Sequence, residues 1–286
     1  MTSDLVAVLA HRRPDFLHAT LTRLGIADRP YLHHRIYIDR GYDSAVLEVA
    51  GQFADALGSR CEVIIRPDHS HWGSSYNTFE AYREASEGDW HLLHLIEEDI
   101  LIGEDYFDYH RQAHELAPQA FSVTGCRDRL GPPPPETADD AIYLREAYQV
   151  SGTSYRRTML PAILKYITPA YYQNPTEHIA ATFPNASLPP GQWTEQDGFL
   201  MRVREELGLP CVYPCAPRSY HAGFSGYNRP GEALTGSVEE NAHRILTMST
   251  EEMNRLSGGY NDLEAVDLDA SRAEISRITT WKENHA

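Results

Sequence analysis

Through its first hundred residues or so the chain switches repeatedly between short apolar runs and amphipathic stretches. LVAVLA (5–10) is too short and too evenly apolar for a surface helix, and it reads as a buried strand. RPDFLHATLTRLG follows, with Phe16, Leu17, Thr20, Leu21 and Leu24 on one helical face and Gly25 as its stop. HRIYIDRG (34–41) predicts a second strand that closes in Asp39 and a glycine turn. AVLEVAGQFADALG (45–58) is a helix and CEVIIRP (61–67) a third strand. SSYNTFEAYREASEG (74–88) opens with hydroxyl caps and runs as a helix to Gly88. WHLLHLIEEDI (90–100) is the fourth strand. Strands that alternate with helices in this way predict an α/β fold, a doubly wound, mostly parallel sheet flanked by helices.

The fourth strand ends in three consecutive carboxylates, Glu97, Glu98 and Asp99, and the chain then turns apolar again. Clustered carboxylates repel one another and are costly to desolvate, so their place at the end of a core strand needs a reason. Open α/β sheets bind ligands beyond the carboxyl ends of their strands, where both Asp39 and this cluster are expected. Strand alternation sends Glu97 and Asp99 to one side and Glu98 to the other. Oxygen ligands in that setting suit a divalent cation that neutralises phosphate, with Asp99 as its best direct ligand. The plain alternative is a solvated strand end that holds no ion.

Beyond residue 120 the pattern changes. FSVTGC (121–126) is strand-like, and GPPPPETADD (131–140) is a loop, because its prolines cannot sustain regular structure. AYQVSGTSYRRTMLPAIL (147–164) predicts a strand, a glycine turn and a helix. NPTEHIAATFPNASLPPGQ (174–192) is turn-rich, and WTEQDGFLMRVREELG (193–208) is a helix. LPCVYPCAPRSYHAGFSGYNRPG (209–231) reads as a strand and a Gly/Pro-rich tail, and the remainder as peripheral C-terminal helices.

Composition narrows the function. Net charge is −16, from 25 basic and 41 acidic residues, which argues against the broad positive surface of a nucleic-acid binder but leaves room for a local basic groove. The N-terminal stretch lacks the basic start and cleavage site of a secretory signal, and no run has the length of a membrane span. Cys61, Cys126, Cys211 and Cys215 are scattered and read as reduced thiols, so the expected address is the cytoplasm. Neither Gly-x-Gly-x-x-Gly nor a Walker lysine motif is present. His69 and His71 have no further ligand at zinc-like spacing, while His91 and His94 belong to the core strand. Trp72, Tyr76 and Trp193 could stack on a base or a sugar, but aromatics at element ends are more often core, and that is the expectation for them.

Taken in order, these segments resemble the GT-A nucleotide-sugar glycosyltransferases, in particular the inverting N-acetylglucosaminyltransferase I type and, more broadly, the family-two enzymes. The metal motif Glu-Asp-Asp of the first group corresponds to Glu97-Glu98-Asp99, with the final aspartate kept and the middle position changed conservatively. LAHRRP (9–14) is similar to the first-strand pattern, which places Ala10 and Arg13 at the nucleotide diphosphate. YIDRG (37–41) puts Asp39 at the base, and HWGSSYNTFEAYREASEGDW (71–90) resembles the Gly-x-x-x-Asn helix, with Gly73 and Asn77. VSGTSYRRTML (150–160) is similar to the small-residue turn and Arg-Arg segment. The likeness runs from about residue 5 to 230 and then stops.

The resemblance implies a GT-A (Rossmann-like) fold and a metal-dependent, inverting transfer of one sugar from a nucleotide-sugar donor to a hydroxyl acceptor. The acceptor class stays open: glycan, small molecule or modified nucleic acid. Asp99 and His221 are the implied ligands of Mn²⁺ or Mg²⁺, with Glu97 and Glu98 beside the donor. Asp197 or Glu195 is the implied general base, Asp197 being favoured by its spacing from Trp193. Imidazole with carboxylate suits Mn²⁺ better than Ca²⁺. Gly223 and Gly226 would let the loop after His221 fold over the donor. The expected organisation is a catalytic domain over 1–234, with a nucleotide half over about 1–103 and an acceptor half over about 104–234, then a C-terminal helical extension over 235–286. The GPPPPE loop and the C-terminal helices are expected to shape the acceptor side. Two rivals remain: a sugar-nucleotide nucleotidyltransferase, which lacks support because AHRRPDF contains no glycine, and a binding protein on a degenerate version of the fold.

Overall fold

The computed structural model describes residues 2–67, 73–126, 140–226, 229–231, 233–258, 267–269, 275 and 277–280. The proline-rich loop over 131–136, together with His69, His71 and Trp72, lies outside them. The first half follows the predicted alternation: β1 (Asp4–Ala10), α1 (Pro14–Ala27), β2 (Leu32–Ile38), α2 (Ser44–Leu57), β3 (Cys61–Ile65), α3 (Gly73–Glu87) and β4 (Leu92–Glu97). Then come β5 (Ile100–Ile102), α4 (Tyr106–Leu116), β6 (Ser122–Thr124), β7 (Ala141–Arg145), β8 (Thr153–Arg156), α5 (Leu160–Leu164), α6 (Pro169–Gln173), α7 (Pro175–Thr182) and α8 (Gln196–Leu207). The chain continues through β9 (Cys211–Pro214), β10 (Ser219–His221), β11 (Ser225–Gly226), β12 (Arg229–Pro230), α9 (Val238–Thr247), α10 (Thr250–Leu256) and β13 (Arg277–Thr280).

Nine strands form one sheet in the order β13-β7-β9-β6-β8-β4-β1-β2-β3. The pairs β1–β2, β1–β4, β2–β3, β6–β9 and β7–β13 are parallel, whereas β4–β8, β6–β8 and β7–β9 are antiparallel. A mostly parallel α/β sheet is therefore present, as expected. β1 buries both faces: Leu5 and Ala7 join Phe79, Tyr82 and Phe199, while Val6, Val8 and Ala10 join Leu17, Leu21 and Val46. A strand covered by helices on both sides has no polar face, which explains the unbroken apolar run of LVAVLA.

Three expectations need correction. No strand occupies 147–150; β7 precedes that stretch and β8 follows it. Tyr148 instead turns into the core, where its hydroxyl meets that of Tyr155 at 2.5 Å. Gly152 makes the turn into β8 with φ of 61°. The segment read as turn-rich contains α7, started by Pro175 at its first position and by the Asn174 side chain, which accepts from the Glu177 amide. At the C-terminus α9 and α10 are the expected peripheral helices, and β13 adds an edge strand to the sheet. Ala242, Ile245, Met253 and Leu256 of these helices pack on Phe16, Leu101, Ala222 and Phe224, beneath the start of α1. Among the described residues no helix is long and apolar enough to cross a membrane.

Candidate active site

The carboxyl ends of β1, β2 and β4 converge. Asp39, just past β2, donates its backbone N–H to the Ala10 carbonyl at 2.8 Å, and its carboxylate accepts from the Arg40 amide. The Glu98 amide in turn donates to the Leu9 carbonyl at 2.9 Å. Parallel pairing thus carries Ala10, Asp39 and the acidic cluster to one mouth.

Strand alternation stops at Glu97, because Glu98 and Asp99 form a turn. Glu98 therefore does not point away from the site. Its carboxylate accepts from the His11 amide at 2.7 Å and from Arg13 Nε at 2.7 Å, and its carbonyl accepts from Thr20 Oγ1. Arg13 Nη1 lies 2.7 Å from Asp99 Oδ2 and also reaches the Ser225 carbonyl at 3.2 Å. A guanidinium between two buried carboxylates supplies the pairing that their desolvation demands. Although burial opposes charge on Arg13, Asp99 and Glu98 outweigh it and raise its pKa. Burial holds the Glu98 carboxyl above its ordinary value despite Arg13.

The turn over 98–99 leads into β5, which pairs antiparallel with β10 so that His221 faces Ile100. The Ala222 amide donates to the Asp99 carbonyl at 2.8 Å. This register brings His221 Nε2 to 3.3 Å from Asp99 Oδ2. Gly223 closes over the pair, and a Cβ there would overlap the Asp99 carboxylate and come within 2.7 Å of His221 Cε1. The two predicted metal ligands therefore meet.

Glu97, half-buried, faces another carboxylate. Burial raises its pKa, and repulsion from Asp197 and Asp99 raises it further. Asp197 stands in the first turn of α8 and Glu195 is that helix's N-cap residue. A helix N-terminus favours a charged carboxylate, yet the Asp197 pKa is raised by burial and by Glu195. The Asp197 side chain remains open to solvent.

Two donor-side expectations fare differently. Gly73 is the first residue of α3. Asn77 is 3% exposed, and both ends of its amide are engaged: it accepts from Arg66 Nε at 3.0 Å and donates to the Tyr37 carbonyl at 3.1 Å. Asn77 thus ties α3 to β2 and to the end of β3.

Sequence reasoning missed Ser75, whose hydroxyl accepts from the Gln196 amide at 3.1 Å and so caps α8 from α3. The hydroxyl-rich start of SSYN was a signal, but for a different helix from the one it suggested. His94 is fully buried against Phe107, as a core histidine should be. Trp193 contradicts the core expectation: it is 60% exposed and has a φ of 47°.

No protein-family profile matches the chain, and no curated protein does. Among solved structures it is similar to S. aureus TarS 1–349, at 12% identity and a TM-score of 0.44, over 74% of this chain and 60% of that one. It is also similar to the mannosyltransferase PcManGT from Pyrobaculum calidifontis in complex with GDP-Man and Mn²⁺, at 11% identity and a TM-score of 0.47, over 76% and 58%. Mouse xyloside xylosyltransferase 1, in its apo form, is similar at 11% identity and a TM-score of 0.42, over 71% and 82%. The chain thus spans less than two thirds of the length of the first two. At these identities and scores the likeness is one of chain layout only.

Proposed function

We propose that the protein is a metal-dependent, inverting glycosyltransferase of GT-A type, with a catalytic domain over 1–234, acting in the cytoplasm. The observation that carries the proposal is the meeting of Asp99 and His221 at the carboxyl end of β4, with the open carboxylate Asp197 across from Glu97.

The residues fit a divalent cation. A separation of 3.3 Å between Asp99 Oδ2 and His221 Nε2 is close to the edge of a coordination octahedron, roughly 3 Å for bonds of about 2.1 Å. Imidazole with carboxylate favours Mn²⁺, with Mg²⁺ as the alternative. Among the described residues no group of three or more potential ligands assembles, so water and the donor's diphosphate would have to complete the cation's shell. The cation, when bound, supplies positive charge against the leaving nucleoside diphosphate.

The chain's own residues account for the rest. Asp39 holds the nucleotide from the end of β2, and Arg13 turns from Asp99 toward the diphosphate. Asp197 takes the proton from the acceptor hydroxyl as its oxygen attacks the anomeric carbon. The bond from that carbon to the diphosphate oxygen breaks, and configuration inverts in the single displacement. A base with a raised pKa suits proton transfer near neutrality. Glu195, at the N-cap, keeps Asp197 basic by repulsion.

Arg13 also favours a second reading. Its Nη1 already sits 2.7 Å from the oxygen that would ligate the metal, as in a binding protein that needs no cation. The deciding experiment offers a panel of nucleotide sugars with Mn²⁺, with and without EDTA, to the wild type and to Asp99→Ala. Metal-dependent release of nucleoside diphosphate, lost in the variant, is the expected result. In a separate arm, pyrophosphate release from a nucleoside triphosphate and a sugar 1-phosphate would indicate a nucleotidyltransferase. Absence of both, with no Mn²⁺-dependent nucleotide binding, would leave the binding protein.

A further inference from the structure

We propose that Trp193 is the floor of the acceptor subsite and that the subsite takes the ring of a neutral pyranose; the inference rests on the transferase proposal above. Trp193 carries the largest exposure of any big apolar side chain among the described residues, at 60%. Its φ of 47° lies where a bulky L-residue is strained, so the surrounding structure must hold it there.

That support is specific. Arg202, only 1% exposed, donates to the carbonyls of Trp193 at 3.1 Å, Gly198 at 2.7 Å, Pro189 at 2.6 Å and Gln192 at 2.7 Å. One buried guanidinium thus gathers the loop before α8 and the first turn of α8 itself. Tyr171 adds a hydroxyl bond to the Thr194 carbonyl at 2.8 Å. Position 198 accepts only glycine, because a Cβ there would overlap the Trp193 carbonyl and lie 2.5 Å from the Trp193 Cβ. The tryptophan therefore lies directly against the turn that carries Asp197.

An exposed indole, carried on a backbone held against the turn that bears the proposed base, suits an occupant with an apolar face and a hydroxyl to activate. A pyranose has both: its C–H face rests on the electron-rich ring, and its hydroxyls hydrogen-bond to carboxylates. Charge selects the neutral kind. The stretch 183–201 contains Glu195 and Asp197 but no lysine or arginine. Arg202, the cation that follows, is buried and its Nη groups are committed to backbone carbonyls, so a phosphate- or carboxylate-bearing acceptor would meet the two carboxylates first.

The test is ligand-observed saturation-transfer NMR on the full chain with Mn²⁺ and a nucleoside diphosphate. The probes are neutral methyl pyranosides, methyl glucuronide, glucose 6-phosphate and a short oligonucleotide. Trp193→Ala removes the ring, and Trp193→Asn removes it while placing a residue that tolerates positive φ. At least one neutral glycoside should bind the wild type, with saturation strongest on its C–H face. Both variants should bind it about tenfold more weakly or worse. Trp193→Asn should melt no lower than the wild type, since strain is relieved. Equal affinity in Trp193→Asn, a panel in which only the acidic probes bind, or no binding of neutral glycosides at millimolar concentration would each overturn the proposal. Slow donor cleavage by water, read on the wild type, tests the transferase proposal separately. Its absence together with a lack of Mn²⁺-dependent nucleotide binding would sink that proposal, while glycoside binding is read independently of it.

Discussion

The two parts of the candidate site hold their charged groups in contrasting ways. On the β4 side, Glu98 and Asp99 are 5% and 3% exposed, and Arg13 grips both. On the α8 side, Glu195 and Asp197 stay open at a helix start, positioned by a loop that a buried arginine gathers. Buried carboxylates need partners, because desolvation without pairing costs several kcal/mol per ion. A group that must receive a proton from an incoming hydroxyl cannot be enclosed by such partners. On the proposed mechanism, the contrast separates groups that hold charge in place from the group that would react.

The sharpest break of this contrast comes from Asp197→Asn. It should lower kcat by about 10²–10⁴-fold, the range for a lost general base, while the KM for the donor stays unchanged in steady-state assays. An equal fall in Glu195→Gln would assign the base to the wrong carboxylate.

Arg13→Met should destabilise the fold by about 2–4 kcal/mol in urea unfolding, less than for a fully buried pair because the side chain is 26% exposed. Mn²⁺ should restore more stability to this variant than to the wild type, since it neutralises the same carboxylate. Equal Mn²⁺ gains in both would show that the cation does not bind at Asp99.

Gly223→Ala forces a methyl group into the space between Asp99 and His221. Mn²⁺ affinity, read by titration with electron paramagnetic resonance, should fall by about 10–100-fold, the usual scale for disturbing a ligand's setting.

Ser237 caps α9 in a capping box with Glu240. Ser237→Ala should cost about 1 kcal/mol in thermal unfolding without changing the metal response.

The smallest effect is a pH shift in Glu195→Gln. Repulsion from Glu195 helps to raise the Asp197 pKa, so its removal lowers that pKa. The ionised base then persists to lower pH, and the acid limb of the kcat profile moves down. Movement upward would contradict the assignment.

How much of this was legible beforehand varies with the range of the interactions involved. The hydrophobic runs of β1 to β4 and the helical spacing between them were enough to place Asp39 and Glu97–Asp99 at strand ends. Period and length are local properties, and covering both faces with helices makes them unambiguous. Gly208, in the left-handed conformation at φ of 64°, ended α8 where the pattern said it would. The second half was harder, because β6, β7 and β8 are three to five residues long and pair out of chain order. The sequence by itself determined the alternating architecture and the residues at its mouth. Only the tertiary structure decided that Glu98 turns back to Arg13, that β10 delivers His221 to Asp99, and that Trp193 stands in solvent beside Asp197. Each of these depends on side-chain direction after an element ends and on contacts between distant segments, and neither is encoded in local spacing.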